Sequence, residues 1–151
     1  MLFKLEFRSE LRVSRDEAWN WITSFKGISA ELWPVLRMSK PRSVQSVNDV
    51  SIEPGQPLFR SQIYLFGILP VDYSYLTLLE FQEGVGFIEQ SPMGSMRLWR
   101  HERHIAEAKQ GCIVTDTLTF EPRFAARLST WAVKRLFTHR HAVLRRQLGG
   151  G

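Results

Sequence analysis

Residues 97–120 read RLWRHERHIAEAKQGCIVTDTLTF, and this stretch decides which fold the sequence favours. Two runs with strand character, Arg97–Ala106 and Cys112–Phe120, are separated by the turn-forming residues Lys109–Gly111. Short runs joined by a tight turn are typical of an antiparallel β-hairpin. The stretch therefore predicts two adjacent strands of an antiparallel sheet.

One face of the predicted hairpin carries charged side chains among apolar ones. A turn centred on Ala108 and Lys109 gives the cross-strand pairs His101 with Asp116, Arg103 with Val114, and Trp99 with Leu118. Because the rest of this face is apolar, we expect it to be the concave side of the sheet and to face a pocket. A register error of one residue would turn all of these side chains to the other face.

The segments on either side of the hairpin predict the other elements. Residues 3–7 alternate between apolar and charged side chains, which is typical of a half-buried strand. A capping box at Ser14–Glu17 begins a helix that Gly27 is predicted to end, and a short helix follows at Ile28–Leu32. A long helix is predicted at Arg123–Leu148, after Pro122.

About six strands are expected between the short helices and the long one. The first is a short strand at Val44–Val50. In a later strand the odd-numbered residues from Val71 to Phe81 form the apolar row, so Tyr73 is expected to face the pocket. The element order β-α-α-β(about 6)-α predicts an α+β fold, a curved antiparallel sheet wrapped around a long C-terminal helix.

The last helix is predicted to be amphipathic. Its broad apolar face on a helical wheel consists of Ala125, Leu128, Ala132, Val133, Leu136, Val143 and Leu144. Arg140 lies at the middle of the apolar side and needs a carboxylate partner, for which Glu89 or Asp116 would serve. The opposite face carries Arg123, Arg127, Lys134, His141 and Arg145.

Length and composition fit one folded unit. The chain has 151 residues, of which 44% are apolar and 23% charged, so we expect a single domain over residues 1–151. The longest run without a charged residue, Ser61–Val71, has eleven residues, whereas a membrane-spanning helix needs about 20. Charges at residues 4, 6 and 8 exclude the apolar core of a signal peptide. The single Cys112 excludes an internal disulfide and favours a cytoplasmic protein.

Positive charge is concentrated at the C-terminal end. Up to Glu121 the chain has thirteen Lys and Arg against fifteen Asp and Glu, and after Glu121 it has seven Lys and Arg and no acid. Two interpretations are open: a solvated helix face, or a surface that contacts phosphate, RNA or anionic lipid. In the second, Trp131 with Arg127, Lys134 and Arg135 would contact a membrane surface or a partner.

Several short motifs carry a family resemblance over residues 3–148. They are Phe66–Pro70 (FGILP), Trp99–Arg103 (WRHER), Gly111, Thr115-Asp116, and Phe137–His141 (FTHRH). With the order of elements, they resemble the START-like helix-grip superfamily, also called SRPBCC, which includes polyketide cyclase-like and lipid-transfer-like proteins. The resemblance implies a pocket for a hydrophobic small molecule and does not by itself imply catalysis.

The candidate ligand-binding residues follow from the hairpin, the strand before it and the last helix. They are Tyr73, Phe87, Glu89, Trp99, His101, Arg103, Asp116, Leu118, Val133, Phe137 and Arg140. The charged members admit two interpretations: a polar floor that orients a ligand, or a buried ion-pair network that fixes sheet against helix. If the chain is an enzyme, His101 held by Asp116 is the candidate for proton transfer.

Three functions are compatible with these features. The first is binding of a hydrophobic or amphipathic molecule, such as a lipid, a quinone or a polyketide-like compound, between sheet and last helix. The second is a cyclase or dehydratase that uses His101 and Asp116. The third is an interaction protein that docks an anionic surface through Arg127, Lys134, Arg135 and Arg145. No cofactor or metal is predicted, because His101 and His104 lie on opposite strand faces and His139 and His141 diverge on a helix.

Overall fold

The computed structural model describes residues 2–47 and 52–149. Its elements are β1 (Phe3–Leu11), α1 (Arg15–Thr23), α2 (Phe25–Leu32), β2 (Leu36–Met38), β3 (Pro57–Leu65), β4 (Leu69–Gln82), β5 (Gly86–Gln90), β6 (Met96–Ala108), β7 (Gly111–Pro122) and α3 (Ala126–Gln147). Within this part of the chain, seven strands form one antiparallel sheet in the order β1-β7-β6-β5-β4-β3-β2. The sheet curls around α3, so the predicted α+β fold with a curved sheet and a C-terminal helix is confirmed.

Serine side chains define the ends of the two short helices. Ser14 begins α1, and its hydroxyl accepts a hydrogen bond from the backbone NH of Glu17 at 3.1 Å. Ser24 ends α1 and begins α2, because its hydroxyl donates to Trp21 O and accepts from Gly27 N. The prediction that Gly27 ends the first helix is therefore wrong. Gly27 lies inside α2, where a Cβ would be 2.1 Å from Trp21 O, so the absence of a side chain lets the two helices meet.

The short strand of this region is not where the sequence predicted it. Of the predicted strand Val44–Val50, residues 48–50 lie outside the described residues. The described part, residues 44–47, is not a strand, although Ser46 forms an isolated bridge with Ser24. The short strand is β2 instead, which pairs with the end of β3.

A β-bulge in β4 reverses the predicted row of inward-facing residues. The pairing of β4 with β5 shifts between Leu78 and Glu80, so Leu78 and Phe81 both face the interior. Counting back from Phe81 in steps of two therefore gives the wrong face beyond the bulge. Ser74 faces inward, whereas Tyr73 is on the outer side with 39% of its surface exposed, so the predicted inward orientation of Tyr73 is wrong.

The hairpin between β6 and β7 differs from the predicted register by two residues. Ala108 pairs with Gly111, so the turn lies at Lys109 and Gln110. The observed pairs are Trp99 with Phe120, His101 with Leu118, and Arg103 with Asp116. Because side chains alternate with a period of two, this even shift leaves every side chain on its predicted face.

Helix α3 begins three residues later than predicted and buries a different face. Ala125 has φ +49°, and its left-handed conformation separates β7 from the helix. The buried residues of the helix are Val133, Phe137, Arg140, His141, Val143 and Leu144. Leu128, predicted to be on the apolar face, is 64% exposed, and His141, predicted to be exposed, is buried. The buried face is thus rotated by roughly a quarter turn from the predicted apolar face, toward His141 and away from Leu128.

Three apolar clusters enclose a cavity. One joins α1 to β6, β7 and the end of α3, and it includes Ile22. The second joins β6 and β7 to the first half of α3, and it includes Phe137. The third surrounds Phe25 and Leu78, between α2 and β4. Members of all three line one space of about 330 Å³ between the sheet and the helices.

Candidate functional site

The cavity has mostly apolar walls and is open to solvent on part of its boundary. Its lining comes from α1, α2, the strands β2–β6 and α3. Ser29 on α2, Val71 on β4 and Ala132 on α3 line the cavity and are exposed to solvent, so the cavity reaches the surface beside these residues. A volume of about 330 Å³ is at the lower end of the range of small-molecule sites.

Three polar side chains, Glu89, His101 and Arg140, form what we call the polar floor of the cavity. The ring of Phe137 packs against two of them. The centroid of this ring lies 5.1 Å from the centroid of the His101 ring and 4.9 Å from the guanidinium carbon of Arg140. Glu89 Oε1 lies 3.7 Å from His101 Nδ1, and its other oxygen accepts a hydrogen bond from Ser91 Oγ at 2.7 Å. The floor therefore offers both donors and acceptors to a molecule in the cavity.

Behind the floor, Asp116 is the centre of a fully buried network. Its Oδ1 accepts from His101 Nε2 at 2.6 Å and from Arg103 Nε at 2.7 Å. Its Oδ2 accepts from Arg103 Nη2 at 2.8 Å and from His141 Nε2 at 2.7 Å. Asp116 thus accepts four hydrogen bonds from residues on β6 and α3, which fixes the last helix relative to the sheet.

Glu31 on α2 is the second buried carboxylate. Arg103 donates to it through Nη2 at 2.8 Å and Nη1 at 3.1 Å, and Arg140 donates through Nε at 3.1 Å. Arg103 therefore lies between two carboxylates, and Arg140 is tied to α2 by one of its nitrogens. With two guanidinium groups facing two carboxylates, the buried charges are balanced.

The arginines decide the protonation of both carboxylates. Burial alone would raise the pKa of Asp116, but Arg103 and His101 hold it well below the usual value of an aspartate. Burial likewise raises the pKa of Glu31, but Arg103 and Arg140 outweigh this and lower it. For Arg103, burial opposes the charge, but Asp116 and Glu31 raise its pKa above that of a free arginine. All three groups are therefore charged at neutral pH.

An ionised Asp116 sets the tautomers of both histidines. Since the carboxylate only accepts, each Nε2 carries a hydrogen and donates to it. In the neutral form of His101, the lone pair of Nδ1 then lies on the side of Glu89, whose Oε1 is 3.7 Å away. In His141, Nδ1 accepts from the Ser9 hydroxyl at 2.7 Å, and Ser9 in turn accepts from Arg145 at 2.9 Å. Arg145, predicted to be on the exposed basic face, is therefore partly buried against β1.

The structure separates the predicted ligand-binding residues into three groups. The residues that line the cavity are Phe87, Glu89, Trp99, His101, Val133, Phe137 and Arg140. Arg103 and Asp116 are buried behind His101, and Leu118 is buried in the core between β7 and α3. Tyr73 lies on the outer face of the sheet, where the guanidinium of Arg60 is 5.0 Å from its ring.

Two titratable members of the network, Glu31 and His141, are absent from the predicted site residues. Glu31 lies in an eight-residue helix among apolar residues and was not considered as a partner for Arg140. His141 was assigned to the exposed face. A count of charges does not point to Glu31, because the predicted site already had Glu89 and Asp116 for its two arginines, and Glu31 lies 72 residues from Arg103 along the chain.

The comparison with known families concerns nearly the whole chain. A family described as a domain of unknown function (DUF8410) matches residues 9–148. The chain belongs to this family. The segment that matches DUF8410 contains every residue of the buried network around Asp116, from Ser9 to Arg145. No curated protein matches the sequence.

Solved structures share the fold of this DUF8410 protein. The Zhui aromatase/cyclase from Streptomyces sp. R1128 has a TM-score of 0.72 at 8% identity, with 99% of this chain and 94% of that chain covered. A START superfamily protein from Mycobacterium smegmatis has a TM-score of 0.64 at 6% identity, with 98% and 97% covered. Ara h 8.0201 has a TM-score of 0.64 at 10% identity, with 98% of each chain covered. The fold is therefore the START-like helix-grip fold, as the motifs and the order of elements in the sequence predicted.

Two further findings concern the residues that the structure describes. None of their helices combines the length and the apolar character that crossing a membrane requires. No three of their His, Cys, Asp or Glu side chains are arranged so that they could hold a metal ion.

Proposed function

We propose that this protein binds a small amphipathic molecule in the cavity between the sheet and α3. The apolar body of the ligand lies against the walls, and a polar group lies on the polar floor. The observation that carries the proposal is the floor itself: Arg140 uses only Nε for Glu31, so its two Nη groups are available to an acceptor in the cavity. Glu89 and His101 Nδ1 are available to a hydroxyl.

The network behind the floor supports a binding role. A guanidinium placed in an apolar cavity is costly unless a carboxylate balances it, and Glu31 does so from the protein side. The ligand therefore meets an oriented group and does not have to supply the neutralising charge. A carbonyl, a carboxylate or a phenolic oxygen is the kind of group that such a donor binds.

Native mass spectrometry of freshly purified protein tests the proposal directly. A reproducible additional mass that disappears on denaturation in organic solvent is expected, and it reports the class of ligand. The cavity is tested with Leu136→Trp, because Leu136 lines it, against Leu128→Trp on the exposed side of the same helix. The first variant is expected to lose the additional mass and the second to keep it. Equal retention by both would place the ligand outside the cavity.

A second candidate function is proton transfer on the bound molecule. The favouring observation is that Asp116 fixes the Nε2 hydrogen of His101 while Nδ1 stays 3.7 Å from Glu89, beyond hydrogen-bond distance. Nδ1 can therefore take a proton from a ligand group that approaches it from the cavity side, and the resulting imidazolium would face Glu89 and Asp116. This arrangement suits a base that acts next to a carbonyl held by Arg140.

Deuterium incorporation from solvent into an aryl methyl ketone tests this second function. Wild-type protein is expected to accelerate the exchange, His101→Gln to abolish the acceleration, and His104→Gln to leave it unchanged, since His104 is exposed on the same strand. A wild-type rate equal to that without protein would refute the enzymatic role and leave the binding role standing.

We propose an anionic membrane surface as the partner of the exposed face of α3. Trp131 is 58% exposed and Arg135 lies 5.7 Å from its ring. Arg127 and Lys134 are exposed beside them, and α3 contains no acidic residue. An exposed tryptophan ring surrounded by cationic side chains is suited to the headgroup region of a membrane that contains anionic lipid. Arg145, which was predicted to belong to this basic surface, is not part of it, because its side chain donates a hydrogen bond to Ser9.

Sedimentation with phosphatidylserine-containing vesicles tests this partner. Binding is expected at low salt and should fall as salt is raised, while vesicles of phosphatidylcholine alone should not bind. Replacing Arg127, Lys134 and Arg135 by Glu is expected to abolish binding. Equal binding to both kinds of vesicle would refute an electrostatic contact.

A further inference from the structure

A second polar position lies in the cavity, away from the polar floor. Ser74 on β4 lines the cavity and is 2% exposed. Its hydroxyl is buried and has no hydrogen-bond partner among the described residues. Buried hydroxyls in folded proteins are nearly always hydrogen-bonded, so an unpartnered one that faces a cavity indicates a place for a polar atom that the protein itself does not supply.

The serine opposite Ser74 shows that the lack of a hydrogen-bond partner is particular to Ser74. Ser61 on β3 pairs directly with Ser74, is also buried and also lines the cavity. Its hydroxyl donates to Ser39 O at 2.7 Å, so its hydrogen-bonding need is met inside the protein. Two equivalent serines on neighbouring strands therefore differ in one respect: only the hydroxyl of Ser74 is available to a ligand.

Asp72 and Ser95 make the surroundings of Ser74 polar. Asp72 Oδ1 accepts from Tyr73 N at 2.8 Å and from Ser95 N at 3.1 Å, and Asp72 Oδ2 accepts from Ser95 Oγ. These bonds hold the carboxylate in place next to the cavity, which both residues line. We call Asp72, Ser74 and Ser95 the upper polar site.

The upper polar site is separated from the polar floor by an apolar stretch. Leu78 pairs with Glu89 of the floor, and Ser74 lies four residues before it on β4. At a rise of about 3.3 Å per residue, the separation along the strand is about 13 Å. Leu76 and Leu78 fill the wall between the two ends.

We infer that the ligand is an elongated apolar molecule with a polar group at each end, and that Ser74 binds a hydroxyl or carbonyl at the end opposite the floor. The inference rests on the proposed function, since it assigns the second end of the same ligand. A molecule with only one polar group would leave the Ser74 hydroxyl unpaired when the cavity is filled. The upper polar site thus determines specificity among amphipathic molecules of similar length.

The stability of the free protein gives a first test that needs no ligand. Ser74→Ala is expected to leave the thermal midpoint unchanged or to raise it, because the hydroxyl has no protein partner. Ser61→Ala is expected to lower the midpoint by a few degrees, because it removes the bond to Ser39. If Ser74→Ala lowers the midpoint as much as Ser61→Ala does, the hydroxyl of Ser74 is bonded within the protein and the inference is overturned.

Binding of dodecanoate and ω-hydroxydodecanoate gives the second test, by titration calorimetry. Wild-type protein is expected to bind the hydroxy acid about tenfold more tightly than the plain acid, the effect of one hydrogen bond to a buried group. Ser74→Ala is expected to remove this difference, and Ser61→Ala to retain it. Equal affinities in wild-type protein would overturn the upper polar site and leave the proposed function intact. Binding of neither acid would count against the proposed function for chain-like ligands and, with it, against this inference.

Discussion

Replacing Asp116 by Asn should be among the most damaging single changes in this protein. The side chain keeps its size, but the carboxylate that accepts from His101, Arg103 and His141 is lost. An amide accepts through one oxygen only, and its NH₂ group would face donors. Removing one partner of a buried ion pair costs about 3–5 kcal/mol. Small domains have a total stability of about 5–15 kcal/mol, so we expect a large fraction of it to be lost.

Urea unfolding followed by tryptophan fluorescence measures this loss. With an m-value of about 1–3 kcal/mol/M, the midpoint should fall by about 2 M. The matched control is Glu107→Gln, since Glu107 is exposed and its oxygen lies 3.8 Å from Arg15 on the surface. Should the first variant not fold at all, Glu31→Gln, which leaves Asp116 in place, is expected to show a smaller drop. Midpoints of Asp116→Asn and Glu107→Gln that agree within error would refute the view that buried charge holds α3 to the sheet.

Three further predictions concern pH, packing and thiol chemistry. The pKa values of Asp116 and Glu31 are lowered in the folded state, so their contribution to stability is complete above pH of about 5. This contribution is lost as the pH falls through about 4 and below, and the urea midpoint should decline there. A urea midpoint that stays constant from pH of about 6 to about 3 would contradict this. Gly27→Ala should destabilise by about 2 kcal/mol or more, since the new Cβ would lie 2.1 Å from Trp21 O, and an unchanged thermal midpoint would count against the tight α1–α2 junction. Burial raises the pKa of Cys112, so iodoacetamide should label it in urea and barely at all in the native protein, a difference that mass spectrometry measures directly.

The sequence predicts the arrangement of elements better than the exact pairing of residues. The faces of the β6–β7 hairpin were predicted correctly although the turn lies at Lys109 and Gln110, because a shift of two residues preserves alternation. On β4 the same alternation failed, because one bulge near Leu79 changes which residues face inward. Strand alternation is thus informative only between irregularities, and a bulge of this kind has no clear signature in the residues around it.

The buried network shows a different limit of sequence-based prediction. Asp116, His101 and Arg140 were predicted to lie together, and the need of Arg140 for a carboxylate partner was recognised. The partner is Glu31, from a helix more than a hundred residues away along the chain. The apolar periodicity of α3 gave the right face for Arg140 and the wrong face for His141, which is buried, and for Leu128, which is exposed. Where charged groups neutralise one another inside a fold, hydrophobicity no longer indicates which side is buried.

The connectivity of the sheet has a consequence for synthesis of the chain on the ribosome. Strand β1, the first to be made, pairs with β7, so that Phe3 lies opposite Phe120. The bond between Ser9 and His141 joins residues 132 positions apart. The first contact cannot form until residue 120 has left the exit tunnel, and the second cannot form until residue 141 has left it. Until then, the concave side of the nascent sheet stays uncovered. We therefore expect folding to be completed in one late step, when α3 arrives and closes the charged interior from water.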